Sequence, residues 1–86
     1  MELIKVSSRS VPKASAGAIA AVLRAGETAQ VQAVGAGAVN QAVKAIAIAR
    51  VFLREEEKEL VCAPYFSELD VSGTEKTGMS FEVFLM

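Results

Sequence analysis

Residues 31–54, VQAVGAGAVNQAVKAIAIARVFLR, contain the change of rhythm that decides the fold. Over 28–34, Ala29, Val31 and Ala33 alternate with Gln30 and Gln32, and Val34 closes the run. Period-two alternation predicts a strand with one wetter face. Gly35, Ala36 and Gly37 then break the pattern. Glycine accepts positive φ and lets another backbone or a ligand come close. From Ala38 the period turns helical, and Val39, Ala42, Val43, Ile46, Ala49 and Leu53 form an apolar stripe. The abundance of alanine, the best helix former, agrees with the pattern. At ~100° per residue the other side carries Asn40, Gln41, Lys44, Ala47, Ile48, Val51 and Glu55. Ile48 and Val51 are large and apolar there. They serve either a second packing layer within the monomer or a subunit interface.

Working outward toward the N-terminus, Leu3 and Lys5 alternate with Ile4 and Val6 over 2–8, which predicts a first strand. Ser7, Ser8, Arg9 and Ser10 make a polar turn. Pro12 suits the first turn of a helix over 12–25, with Ser10 placed to cap it. Val11, Ser15, Ala18, Ile19 and Val22 are the expected buried stripe, and Gly26 the C-cap. Toward the C-terminus, the charged run 54–59 reads as a solvated helix end and connector. A third strand covers 60–66, where Pro64 marks a bulge or an edge, and alternation resumes over 68–71. Residues 72–78 read as a hairpin loop. Met79, Phe81, Val83 and Leu85 alternate with polar and apolar neighbours as a last strand.

The order is β-α-β-α-β-β. Strands one and two, joined through a helix, should be parallel with a right-handed crossover. Strands three and four should form an antiparallel hairpin. The economical packing is an α/β two-layer sandwich, a four-stranded mixed sheet with two helices on one face. At 86 residues the chain is expected to be a single domain, 1–86, that buries only ~60–65% of its unfolded surface. Association would add stability to so small a core.

Hydrophobic residues make up 52% of the chain, yet no run approaches the ~18 consecutive apolar residues of a membrane span. No signal peptide is expected, because Met1, Glu2 and Leu3 lead straight into a strand, and cytoplasmic residence is the default. Cys62 is the only cysteine, which excludes an intrachain disulfide and favours a buried small hydrophobe. The absence of histidine excludes Ser-His and Cys-His chemistry and most zinc sites; no metal or cofactor is expected. Residues 1–54 carry seven Lys/Arg against two Glu, a net +5, while residues 55–86 carry two Lys against eight acids, a net −6. Either one end of the molecule bears an electrostatic footprint, or folding interleaves the halves and cancels the field.

Parallel strands one and two would bring both strand-to-helix turns to one edge. The first supplies Arg9, Ser10 and Lys13; the second supplies Gly35, Gly37, Asn40 and Gln41. Helix N-termini favour phosphate. Asn40 and Gln41 suit bases or sugars, and Lys44, one turn on, suits a backbone phosphate. Gly35 and Gly37 also have a purely structural reading, tight strand-to-helix packing. The Gly-x-Gly completes neither a dinucleotide fingerprint nor a Walker motif.

These residues carry a family resemblance. The segments VSSRS at 6–10, AGAIA at 16–20 and, above all, VQAVGAGAVNQAVKAIAIAR at 31–50 resemble the stage V sporulation protein S family. That family looks like Alba-type chromatin and RNA-binding proteins in fold. The resemblance implies an Alba-like domain, a regulatory or developmental role linked to sporulation, and DNA or RNA as partner. Where Alba-type proteins have a basic hairpin arm, this chain has Glu75 beside Lys76 in an acidic segment. The leading expectation is a non-enzymatic nucleic-acid-binding or regulatory protein, a homodimer or higher homo-oligomer joined through Ile48 and Val51 with part of the hairpin. The alternative is a protein-interaction module that touches no nucleic acid. A small phosphorylated ligand at the same edge is a third reading.

Overall fold

A computed structural model describes the backbone of residues 1–86 and every side chain except those of residues 70 and 71. Six elements follow in the expected order: β1 (Glu2–Val6), α1 (Pro12–Arg24), β2 (Ala29–Ala33), α2 (Ala36–Arg54), β3 (Leu60–Val71) and β4 (Thr74–Leu85). The sheet order is β1-β2-β4-β3. β1 lies parallel to β2, and β4 runs antiparallel to both β2 and β3. The result is the expected α/β two-layer arrangement with a mixed four-stranded sheet.

The core is built from small residues. Ala29, Val31 and Ala33 of β2 and Phe81 and Val83 of β4 meet Ala16, Ile19, Ala20 and Leu23 of α1 and Ala38, Ala42, Ala45, Ala49 and Leu53 of α2. Alternation in β2 and β4 therefore sets the helix-facing side of the sheet, as period two requires. The buried stripe of α1 differs from the sequence expectation. Val11 is 63% exposed, Ala18 is exposed and Ser15 only partly buried, while Ala16, Ala20 and Leu23 are buried. Close approach to both the sheet and α2 selects alanine over valine at the contact, which turns the helix by about one residue. Val43, expected in the α2 stripe, is 50% exposed for the same reason, and Ala38 and Ala45 are buried instead.

The helix ends follow their chemistry. Gly26, at φ 82°, closes α1: its N–H donates to the Leu23 carbonyl, and that of Glu27 donates to Val22, a complete Schellman pair. α2 ends the same way at Glu57, a non-glycine at φ 59°, with Lys58 N–H donating to the Leu53 carbonyl at 3.0 Å. By length and composition α2 is the one helix among the described residues long and apolar enough to cross a membrane. It carries Lys44 and Arg50 and buries its alanine stripe against sheet and α1, as a core helix does.

The hairpin is longer and tighter than the sequence suggests. The expected loop over 72–78 contracts to Ser72 and Gly73, at φ 53° and 77°, and β4 starts at Thr74. Two positive-φ residues match the right-handed twist of paired strands, so pairing runs to the turn. β3 continues through Pro64 because it is an edge strand, where a missing N–H is tolerated. β2 pairs with β4 only from Met79 to Val83, so the hairpin beyond Gly78 projects past the sheet as an arm. Cys62, expected to be buried, is exposed. It pairs with Val83 and so shares the helix-facing side, but on the outermost strand where little helix covers it.

Candidate nucleic-acid interface

Parallel registration sets the end of β1 beside the end of β2, with Val6 opposite Ala33. The two strand-to-helix turns are therefore neighbours, and the side chains between them interlock. Gln41 Nε2 donates to the Ser10 carbonyl at 2.9 Å. Gly37 packs against Ser8 so closely that an added Cβ would lie 3.1 Å from the Ser8 Cβ. Gly35 holds the strand-to-helix corner at φ 92°, ψ 155°. The packing reading thus holds at Gly37, whereas at Gly35 an added Cβ would meet nothing within 4 Å and the demand for glycine comes from its positive φ.

The first turn closes on itself. Ser10 N–H donates to the Ser7 carbonyl at 3.1 Å, Ser7 N–H donates to Ser10 Oγ at 2.9 Å, and Arg9 N–H donates to Ser7 Oγ at 3.2 Å. This corrects the expected role of Ser10. Its hydroxyl turns back into the loop, and the N-cap of α1 is Val11, extended and with no side-chain cap. The N-cap of α2 is Gly35, which has no side chain to offer. Neither helix has an acidic residue in its first turn. Two positive dipole ends, each equivalent to roughly half a charge, thus open on one edge with no carboxylate in their own first turns.

Charge sorting along the molecule is pronounced. At the far ends of the helices the cations are paired. Arg24 grips Glu56 with Nη2 at 2.6 Å and Nε at 2.9 Å, Arg50 meets Glu59 at 2.7 Å, and Lys58 and Arg54 join the same two carboxylates. The connector is therefore a clamp between the two helix ends rather than only a solvated link. Hydrogen bonding to Arg24 holds the Glu56 carboxyl below its ordinary range, and hydrogen bonding to Arg50 does the same for Glu59. A depressed carboxylate contributes stability above its unfolded pKa, which is lost as pH falls through the folded value. Acid titration of Glu56→Gln should therefore show a shallower stability loss than the parent below about pH 4.5. Equal slopes in that window would remove the clamp.

Toward the other end the cations are unpaired. Arg9, Lys13 and Lys44 are exposed and join none of the ion pairs among the described residues. Asn40 is exposed on α2 beside Lys44, and Gln41 is partly buried with one amide donor committed to Ser10. Arg9, Ser10, Lys13, Gly35, Gly37 and Gln41 therefore lie at or just after the two turns, with Ser10, Gly37 and Gln41 joining the turns to each other, while Asn40 and Lys44 lie about one and two turns along α2. Of the two expected interface residues, Ile48 is partly buried and packs against the chain's own core, while Val51 is 59% exposed. Val43, Ala47 and Val51 recur at every fourth position as an exposed stripe. Phe66, at the root of the projecting arm, is 77% exposed, and the arm itself carries the exposed carboxylates Glu68 and Glu75.

Two further residues escape sequence reasoning. Lys5 and Gln32 stand side by side across β1 and β2, on the face away from the helices. They border a cleft of about 360 Å³ beside the arm's Leu69. Strand alternation put each on the wetter face, but their proximity depends on a non-local register. Among the described residues no group of three or more His, Cys, Asp or Glu could hold a metal ion. Against protein-family models, the chain matches that of stage V sporulation protein S over residues 2–86.

Proposed function

We propose that this chain, which belongs to the stage V sporulation protein S family and is thereby a sporulation-related protein, acts as a non-enzymatic cytoplasmic regulator that binds nucleic acid as a homodimer. The observation that carries the reading is the unneutralised positive edge. Two uncapped helix N-termini with no first-turn acid stand beside Arg9 and Lys13, with Lys44 about two turns along α2, while Glu56 and Glu59 consume the cations at the other end. Phosphate oxygens suit such an edge, because backbone N–H groups and flexible cations position a strand without reading its sequence. Asn40 adds a side-chain amide for a sugar or base edge. Val51, with Val43 and Ala47, offers the apolar stripe for the second copy.

Fluorescence anisotropy with short DNA and RNA duplexes and single strands tests this. Three cations per protomer give about six phosphate contacts per dimer, so affinity should fall about 10³-fold between 50 and 200 mM salt. Affinity that does not change over that range would rule out phosphate neutralisation as the mechanism.

The acidic arm favours a second reading. Glu68 and Glu75 near an exposed Phe66 make a surface suited to a basic, apolar protein segment and hostile to phosphate. An absence of binding at low salt to every nucleic acid tried would transfer the function to that surface.

A further inference from the structure

The open face of the sheet carries a cleft that the helix-turn edge does not use. The cleft beside the arm is lined by Lys5, Ser7, Ser8, Gln32, Val34 and Leu69. Its volume of about 360 Å³ is at the lower end of the ~300–1,000 Å³ range of small-molecule pockets, the size for one compact ligand. Its wall is built rather than incidental. An added Cβ on Gly78 would lie 2.9 Å from the Ala33 carbonyl oxygen, 3.0 Å from Val34 Cγ2 and 3.1 Å from Leu69 Cδ1. The root of the arm is thus pinned to the end of β2, with Val34 and Leu69 side by side.

The polar groups are unspent. Lys5 is exposed and joins none of the ion pairs among the described residues. Gln30 donates to Ser80 at 3.4 Å, whereas the partly buried Gln32 makes no side-chain hydrogen bond among the described residues. A carboxamide presents a donor and an acceptor in one plane, which matches the adjacent donor and acceptor on a nucleobase edge. A cation at the rim, a planar amide within and one alkyl wall suit a flat hydrogen-bonding ring joined to an anion. A free sugar would leave Lys5 unused, and a simple apolar ligand would leave Gln32 unpaired.

We infer that this cleft binds a nucleoside monophosphate unit, its phosphate held by Lys5 and Ser8, its base edge by Gln32 and one face of its ring lying against Val34 and Leu69. The assignment is independent of the helix-turn edge, since it uses none of Arg9, Lys13 or Lys44. The unit is either a free nucleotide or one residue of a single strand. Register decides how a strand would continue, because Lys5, Gln32, Ser80 and Tyr65 form one row across the sheet. Tyr65, 41% exposed, stands where a second base would stack.

The test is a two-dimensional NMR titration of the full chain with AMP, ribose 5-phosphate, inorganic phosphate and a short oligoadenylate. AMP should shift the Gln32 side-chain amide and the Leu69 methyls saturably, with ribose 5-phosphate about tenfold weaker. Lys5→Gln and Gln32→Ala should each weaken AMP about 3- to 10-fold and leave the remaining spectrum unchanged. Tyr65→Ala should weaken the oligonucleotide about fivefold or more and leave AMP unaffected if the source is a strand; equal behaviour of both assigns a free nucleotide. Inorganic phosphate shifting the same signals as strongly as AMP would overturn the assignment. So would AMP shifts confined to Arg9, Lys13 and Lys44.

Discussion

Combining Arg9→Ala, Lys13→Ala and Lys44→Ala should lower nucleic-acid affinity about 10³-fold or more at low salt and flatten its salt dependence. Each protomer loses three cations that join no ion pair among the described residues, so a dimer loses about six phosphate contacts, and the logarithmic salt slope should fall by about five units. The fold should not suffer. All three side chains are exposed and unpaired among the described residues, and surface substitutions of that kind usually fall within about ±0.5 kcal/mol. Lys13 even stands at the wrong end of a helix dipole, so its loss should slightly raise the melting temperature. The control is Arg50→Ala with Arg54→Ala, which removes cations already paired with Glu59 at the opposite end. That variant should retain most of its affinity. If both variants lose affinity in proportion to charge removed, net charge alone governs binding and the edge has no special part in it.

What the sequence makes legible is local, and what it hides depends on distant partners. The break from period two to period 3.6 around Gly35 and Gly37 is written in consecutive residues, so β2, α2 and the parallel crossover follow from it. Gly26 is equally legible, because a left-handed C-cap needs little beyond its own helix. The stripe of α1 is not, since valine and alanine both satisfy helical spacing, and only the closeness of the sheet and α2 decides that Ala16 and Ala20 go inside while Val11 stays out. Ser10 misleads for a related reason. Its hydroxyl has two local partners to choose from, and the tight turn with Ser7 wins over the helix. Pairing to the tip of the hairpin is a property of two strands together, so Thr74, Glu75 and Lys76 read as loop until β3 is laid beside them. The charge asymmetry resolves in the same way. Sequence counts show +5 and −6, but only the fold reveals that Glu56 and Glu59 neutralise one helix end and leave the other bare.

Gly35→Val should cost about 3 kcal/mol and lower the melting temperature by about 12–24 °C. The cause is backbone conformation alone. At φ 92° and ψ 155° Gly35 lies in a region that only glycine adopts readily, yet an added Cβ there would meet nothing within 4 Å. Alanine should therefore already suffer, by about 1–3 kcal/mol, and the β-branch of valine adds to it. Total stability for a chain of this length is on the order of 4–13 kcal/mol, so valine removes a large share. Gly17 supplies the contrast. It lies inside α1, exposed, with ordinary helical backbone and open space around its Cα, so Gly17→Ala should stabilise by up to about 1 kcal/mol. Calorimetry on the two variants separates a corner that demands glycine from a helix that merely contains one. The same corner fixes where α2 begins, hence where Gln41 meets Ser10 and where the uncapped N–H groups point. Gly35→Val should accordingly disturb the amide signals of Ser10 and Gln41 well below its melting point. A melting temperature within about 3 °C of the parent, with those signals in place, would mean that the turn can hold its shape without the left-handed residue, and that Gly35 is there for access to a ligand rather than for the corner.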